Sequence, residues 1–156
     1  MLNTWKNVAL NGTKRGMIMS REIKFRAWLK EEKKMVIVET IDFSEKSIQY
    51  LEKNEIMDAY LLRTNFLEDV ELMQYTGLKD KNGTEIYEGD IVKYKFPYDR
   101  RLKHISPVFY MESQASYGVL DIYKNGIPLY TISANNYFEV IGNIYENKNL
   151  LEKNEW

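Results

Sequence analysis

Cysteine is absent from the 156-residue sequence, and histidine occurs once, as His104. The lack of cysteine excludes disulfides, zinc–thiolate sites and thiol catalysis, and it is typical of proteins from a reducing cytoplasm. A single histidine also argues against other zinc sites, which usually need several nitrogen or sulfur ligands. We therefore predict a protein that holds no metal and no cofactor.

Long apolar segments are missing as well. Runs such as Met35–Val38 are far too short to cross a bilayer, and polar residues interrupt any apolar stretch within residues 1–19. Neither glycine-rich phosphate loop occurs in the chain. We therefore expect a cytoplasmic protein with no membrane partner and no nucleotide-binding motif of these kinds.

What the sequence does contain favours a β-rich globular fold. It is 44% hydrophobic and 29% charged, so a buried core is expected, and its 12 tyrosines suit packing on strands. Ile23, Phe25 and Ala27 alternate with basic residues, which is the period of a half-buried strand. Asn82-Gly83 and Asn125-Gly126 are hairpin-turn signals. Short strands between such turns predict a barrel or a sandwich.

The segments differ enough to predict a division of the chain. Asn54 is a candidate cap for a helix over residues 55–63, with apolar residues on one helical face. The predicted parts are a poorly ordered leader at 1–18, a small mixed hairpin and helix region at 19–69, a barrel-like domain at 70–147, and a polar tail at 148–156 with one helical turn.

The leader prediction has a direct test. Because alternation begins only at Glu22, deleting residues 1–18 should leave the melting temperature nearly unchanged. Thermal unfolding of the full-length and shortened chains, followed by circular dichroism, measures the difference. A fall of more than a few degrees would show that this segment packs on the body or on another subunit.

Charge is distributed unevenly along a chain whose net charge is only −1. Residues 39–71 hold nine acids and three bases, a net charge of −6. Residues 93–104 hold five bases and one acid, a net charge of +4. Such asymmetry marks a nucleic-acid surface, a contact between subunits, or a solvated face.

The basic segment is the candidate binding site of the sequence, although residues 98–106 are predicted to form a loop. Its bases attract phosphates, and its rings could stack on unpaired bases unless they fill the core. The candidate residues are Lys93, Lys95, Tyr98, Arg100, Arg101 and Lys103.

No catalytic residue is predicted. His104 lies between Lys103 and Ile105 with no nucleophile motif nearby, and we interpret it as a solvated loop histidine. Glu85, Glu88 and Asp90 surround tight turns, and a pair of them could in principle perform acid–base chemistry. We interpret Asp90 more simply as a turn residue that accepts a backbone hydrogen bond.

Three segments, in the expected order, resemble the motifs of YopX-like proteins, a family of phages and prophages of mostly Gram-positive bacteria. They are Arg21–Trp28 (REIKFRAW) with Lys34–Val36 (KMV), Leu72–Gly83 (LMQYTGLKDKNG) with Ile86–Val92 (IYEGDIV), and Val140–Asn147 (VIGNIYEN). Leu29 and Lys148 stand where the family usually has Asp and Pro, and both positions are expected to be turns.

The resemblance implies a phage-encoded protein in which a small mixed part is joined to an SH3-like β-barrel, hence a mostly β or α+β fold. It implies no activity. We interpret the chain as a non-enzymatic protein-interaction module, a homo-oligomer that contacts a host or phage protein in the host cytoplasm. The alternative is a nucleic-acid-binding β-barrel that uses the basic segment.

Overall fold

The computed structural model describes residues 22–96, 99–121, 123–129 and 137–152, with the backbone alone at 96 and 99–102. The chain is mostly β, with 60% strand and little helix, which confirms the predicted class; the α+β alternative is not confirmed. The strands are β1 Phe25–Leu29, β2 Lys34–Asp42, β3 Ser47–Asn54, β4 Ala59–Phe66, β5 Val70–Lys79, β6 Glu85–Tyr87, β7 Asp90–Phe96, β8 Asp99–Pro107, β9 Phe109–Met111, β10 Ser116–Leu120, β11 Gly126–Pro128 and β12 Glu139–Asn143.

Three antiparallel sheets contain these strands. The first has six strands in the order β4-β3-β2-β1-β5-β6, and the others have the orders β12-β7-β8 and β11-β10-β9. The first half of β5 pairs with β1, while its second half pairs with β6. The long strand β5 therefore connects the N-terminal strand β1 with β6, which lies after it in the chain.

The first sheet must curl, because its connections allow no flat arrangement. β4 and β5 lie four strand spacings apart in the sheet order, which would be about 19 Å in a flat sheet. They are joined by a single 3-10 turn, Leu67–Asp69, whose three residues rise only about 6 Å. Curling brings β4 towards β5 and encloses one apolar cluster: Ala27, Leu29, Val36, Ile48, Tyr50 and Val70.

A second apolar cluster lies in the C-terminal part. The rings of Tyr94 and Phe138 meet edge to face at its centre, with centroids 5.1 Å apart. Its buried residues are Ile86, Val92, Tyr94, Val108, Val119, Leu129 and Phe138. Over the part of the chain that the structure describes, the surrounding sheets do not close into a barrel, so the SH3-like barrel is not confirmed.

The predicted helix over 55–63 is wrong. Residues 55–58 form a turn, and β4 follows, paired with β3 along its whole length from Ala59 to Phe66. The side chain of Asn54 does cap, but it caps a turn, since its Oδ1 accepts hydrogen bonds from the backbone N–H groups of Ile56 and Met57. Cross-strand pairing has overridden a local helical pattern.

The predicted loop at 98–106 is also wrong, because most of it belongs to β8. This strand pairs with β7 in a register that sets Tyr94 opposite His104, with an irregularity before Phe96. Leu29 differs from its prediction too: it is the last residue of β1 and is buried, not a turn residue.

The turn at Asn82-Gly83 is confirmed, and a second irregularity occurs near Gly142. Gly83 has φ of +85°, and the flanking strands pair through Tyr75 with Tyr87 and Lys79 with Glu85. The register of β12 on β7 shifts between Val140 and Gly142. Local turn signals were therefore reliable guides to this part of the fold.

Replacing Gly83 by valine should lower the free energy of unfolding by roughly 1–3 kcal/mol. A Cβ added there would meet nothing within 4 Å, so the cost comes from forcing a β-branched residue to positive φ and not from a clash. Urea denaturation measures the loss. Gly83→Asn is the control, because Asn tolerates positive φ; equal losses in the two variants would contradict the explanation.

The predicted helical turn at the C-terminal end is confirmed as α1, Asn149–Glu152. The predicted leader at residues 1–18 lies outside the described residues, and the division of the chain at residues 70 and 147 stays a prediction. No helix among the residues described here is long and apolar enough to cross a membrane.

Candidate functional site

Part of the predicted basic site is assembled on the face of the β12-β7-β8 sheet. Lys93 and Lys95 belong to β7, and Lys103 belongs to β8. Tyr94, between the two β7 lysines, is 1% exposed and points into the C-terminal core. Alternation along β7 thus places lysines on the outer face and this ring on the inner face.

The three lysines surround a groove with a volume of about 260 Å³. We call it the lysine groove; its lining residues are Lys81, Lys93, Tyr94, Lys95, Lys103, Tyr137 and Glu139. Lys81 Nζ lies 2.7 Å from Glu139 Oε2, and this hydrogen bond holds the pKa of Glu139 below its usual range. Four lysines and one glutamate leave the groove with a net charge of +3.

The structure places the six predicted site residues as follows. Lys93, Lys95 and Lys103 lie together around the lysine groove. Arg100 and Arg101 lie on β8, where only the backbone is described, and Tyr98 lies outside the described residues.

The lining residues that escaped the sequence prediction include Lys81 and Tyr137. Lys81 follows Asp80 in the 80–83 turn, and its N–H donates to the carbonyl of Phe138 at 3.1 Å. Tyr137 precedes β12, and its side chain packs against the C-terminal core. Both lie outside residues 93–104, and they join the groove because β12 pairs with β7 and the turn at Lys81 contacts Phe138.

The three carboxylates that could perform acid–base chemistry, Glu85, Glu88 and Asp90, lie in separate environments. Glu85 accepts hydrogen bonds from Lys24 Nζ at 2.7 Å and from the hydroxyl of Tyr87 at 2.9 Å, and the Lys24 bond holds the pKa of Glu85 low. Glu88 lines a wider groove of about 600 Å³, in which neither Glu85 nor Asp90 takes part. Neither of the two grooves found in the described part of the chain therefore brings two of the three together.

Asp90 is buried beside the guanidinium group of Arg26. Arg26 Nη2 lies 2.6 Å from Asp90 Oδ1, and the side chains of Arg26 and Asp90 are 12% and 2% exposed. The backbone N–H of Tyr87 donates to Asp90 Oδ2 at 2.7 Å, as expected of a turn residue. Burial raises the pKa of Asp90, and Arg26 and the N–H of Tyr87 oppose that rise.

This pair helps to join the two parts of the chain. The Arg26 guanidinium lies 4.9 Å from the centre of the Tyr87 ring, and Trp28 of β1 stacks on Tyr145, with ring centroids 5.5 Å apart. The residues of the YopX-like motifs thus include a buried ion pair between β1 and the start of β7.

The prediction that His104 is a solvated loop histidine is wrong. His104 is buried in β8, with its ring 5.3 Å from that of Tyr94. We therefore interpret His104 as a structural residue that packs against a core ring within a paired strand. In the described part of the chain, no three His, Cys, Asp or Glu residues form a group that could hold a metal ion.

A different surface is apolar and lies at the edge of the first sheet. Tyr60, Leu62 and Phe66 of β4 are 67%, 58% and 57% exposed. They are an even number of residues apart, so they share one face, and Leu51 of β3 lies directly opposite Leu62. Among the described strands, β4 pairs only with β3, which leaves its outer edge open. We call this strand and its exposed face the β4 edge.

The geometry defines a mostly β protein with two candidate binding surfaces, a basic groove and an apolar sheet edge. The chain belongs to the YopX family, since the family model described as "YopX protein" matches residues 24–152. It is also similar to the crystal structure of protein EF1440 from Enterococcus faecalis, with 28% identity and a TM-score of 0.55, over 85% of this chain and 99% of that one. No curated protein matches the sequence.

Proposed function

We propose that this chain is a non-enzymatic protein-interaction module, encoded by a phage or prophage and acting in the host cytoplasm as a homo-oligomer. Its target would be a host or phage protein, and interference with a host defence is one form that this could take. Phage origin is inferred from YopX family membership. The β4 edge is the observation that carries the interaction.

An open edge strand of this kind is a template for pairing. β4 spans eight residues, and its outer backbone N–H and C=O groups have no strand beside them within the described structure. Proteins usually protect such edges with charges, proline or bulges, but this strand exposes three large apolar side chains on one face. A second strand added there would satisfy the backbone and cover the side chains.

The occupant that we propose is β4 of a second copy, antiparallel and centred on Thr64. A centre at Arg63 would set two guanidinium groups opposite each other, which is unfavourable. A centre at Thr64 instead places Leu62 opposite Phe66 of the second copy, twice over because of the two-fold symmetry. In this register apolar side chains of the two copies lie opposite each other, and no two like charges do.

The mass in solution tests the proposed dimer. Light scattering should give twice the 18.6 kDa chain mass for the unmodified protein and a single chain mass for Leu62→Lys. The matched control is Tyr123→Lys, which changes a 77% exposed residue in another part of the chain and should remain dimeric. A monomeric unmodified protein, or a dimeric Leu62→Lys variant, would contradict this assignment.

The register has its own test, because the natural chain has no cysteine. Residues facing each other in an antiparallel pair have Cα atoms about 4.5–5.5 Å apart, which is within the range of a disulfide. Thr64→Cys should therefore form a covalent dimer under mild oxidation, and Tyr60→Cys should not. Efficient cross-linking at position 60 alone would show a different register.

A further inference from the structure

The lysine groove combines positive charge with exposed ammonium groups. Lys95 and Lys103 are exposed, and Lys93 is half-buried and lies directly opposite Glu139 across the β7–β12 pair. The carboxylate of Glu139 is already engaged by Lys81 at 2.7 Å. Lys95 and Lys103 form no ion pair with the described residues, so their exposed ammonium groups can contact a ligand that carries several negative charges. Such flexible point charges suit phosphates.

The spacing of the lysines favours a repeating anion. Lys93 and Lys95 are on the same face of β7, about 6.6 Å apart along the strand, and Lys103 lies on the neighbouring strand. This separation is comparable with that between successive phosphates of an extended nucleic-acid strand. An isolated phosphate could contact only some of these groups at once.

An aromatic ring in the groove favours unpaired bases over a duplex. Tyr137 is half-buried and lines the groove beside the lysines. Tyr94 is held in the core, where its hydroxyl donates to the carbonyl of Leu120, so it does not offer a ring face for stacking. Tyr137 is the ring on which a base could stack while the lysines hold the phosphates on either side.

We propose that the lysine groove binds single-stranded nucleic acid, with Lys93, Lys95 and Lys103 on the phosphates and Tyr137 against a base. An acidic protein segment, such as residues 39–71 of another copy, would satisfy the lysines but has no unpaired base to stack on Tyr137. The ring is therefore the observation that separates the two ligands.

Fluorescence anisotropy with labelled oligothymidylate and oligouridylate of about 15 nucleotides tests the proposal, since single-strand sites span up to about 16 nucleotides. At ~50 mM salt the unmodified protein should bind, because low salt strengthens phosphate contacts. For Lys95→Glu with Lys103→Glu, the slope of log affinity against log salt should fall by about 1.4, or 0.7 per lost contact. Lys33→Glu with Lys148→Glu makes the same charge change at exposed positions elsewhere and should bind normally.

The tyrosine gives the second measurement. Tyr137→Ala should weaken binding by about 10-fold, whereas Tyr137→Phe should bind like the unmodified protein, since stacking needs only the ring. Absence of binding at ~50 mM salt would overturn the proposal. It would also be overturned by equal losses in the two lysine pairs, or by polyglutamate binding as tightly as the oligonucleotides and depending on the same lysines.

Discussion

Arg26→Met is expected to lower the free energy of unfolding by about 3–5 kcal/mol, because it leaves a buried carboxylate without its cation. The Asp90 side chain is 2% exposed and lies 2.6 Å from the guanidinium. Without Arg26, the Asp90 carboxylate keeps, among the described residues, its hydrogen bond from the backbone N–H of Tyr87. Methionine is long enough to fill most of the vacated space, so the loss reports charge more than volume.

The loss should depend on pH in a defined direction. Burial already raises the pKa of Asp90 above 3.8, and removing Arg26 takes away an interaction that opposes the rise. A carboxyl group whose pKa is higher in the folded than in the unfolded state contributes stability at low pH and loses it as pH rises through the folded pKa. Arg26→Met should therefore be least destabilised near pH 4 and most destabilised near neutral pH.

A double variant distinguishes charge from packing. Asp90→Asn removes the charge but leaves an oxygen that can accept from the N–H of Tyr87. Adding it to Arg26→Met should recover part of the lost stability at neutral pH, because no buried charge then remains unpaired. Urea denaturation of the four proteins measures the coupling. A double variant less stable than Arg26→Met would show that packing, and not charge, sets the loss.

Local signals predicted the parts of the fold that local physics decides. Gly83 adopts positive φ in the turn where Asn-Gly was found, and the alternation through Phe25 and Ala27 correctly predicted the strand β1. Both features depend on a few adjacent residues. The YopX motifs were also identified correctly, since the family match covers residues 24–152.

Long-range pairing decided the rest. Residues 55–63 have a helical apolar pattern, but the eight-residue register with β3 makes 59–66 a strand. The polar residues at 98–106 predict a loop, but β7 supplies a partner for the backbone of those that belong to β8. Neither partner is visible from the segment itself, so no local pattern could have corrected these predictions.

The candidate site also contains residues that local patterns predict and residues that only long-range pairing brings in. Lys93, Lys95 and Lys103 were found because they are close in sequence and alternate with apolar residues. Lys81 and Tyr137 were not, because they meet those lysines only after β12 has paired with β7 and the 80–83 turn has packed beside Phe138. The ring most suited to stacking is therefore one that the basic segment itself does not contain.

Asp80 holds the 80–83 turn beside β12. Asp80→Ala is therefore expected to lower the free energy of unfolding by about 2–4 kcal/mol. Its carboxylate, on a residue that is 3% exposed, accepts from the N–H groups of Asn82 at 2.8 Å and Thr84 at 2.9 Å within the turn. It also accepts from the N–H of Val140 at 3.0 Å, which belongs to β12. One side chain thus fixes the turn and fastens it to a strand 60 residues away.

The loss in Asp80→Ala should also be smallest in acid, as for Arg26→Met, but for a different reason: the pKa of Asp80 is lowered in the folded protein, whereas that of Asp90 is raised. Burial works to raise the pKa of Asp80, but the three N–H donors outweigh it and hold the pKa below 3.8. A carboxylate of this kind contributes stability above pH 3.8 that is lost as pH falls through the lower, folded-state pKa. The unfolding curves of the unmodified protein and Asp80→Ala should therefore converge in acid.

Asp80→Asn keeps one acceptor oxygen and should lose less stability than Asp80→Ala, with no titration from this site. A difference between the unmodified protein and Asp80→Ala that stayed constant from neutral to strongly acidic pH would show that the charge of Asp80 is not what joins the turn to β12.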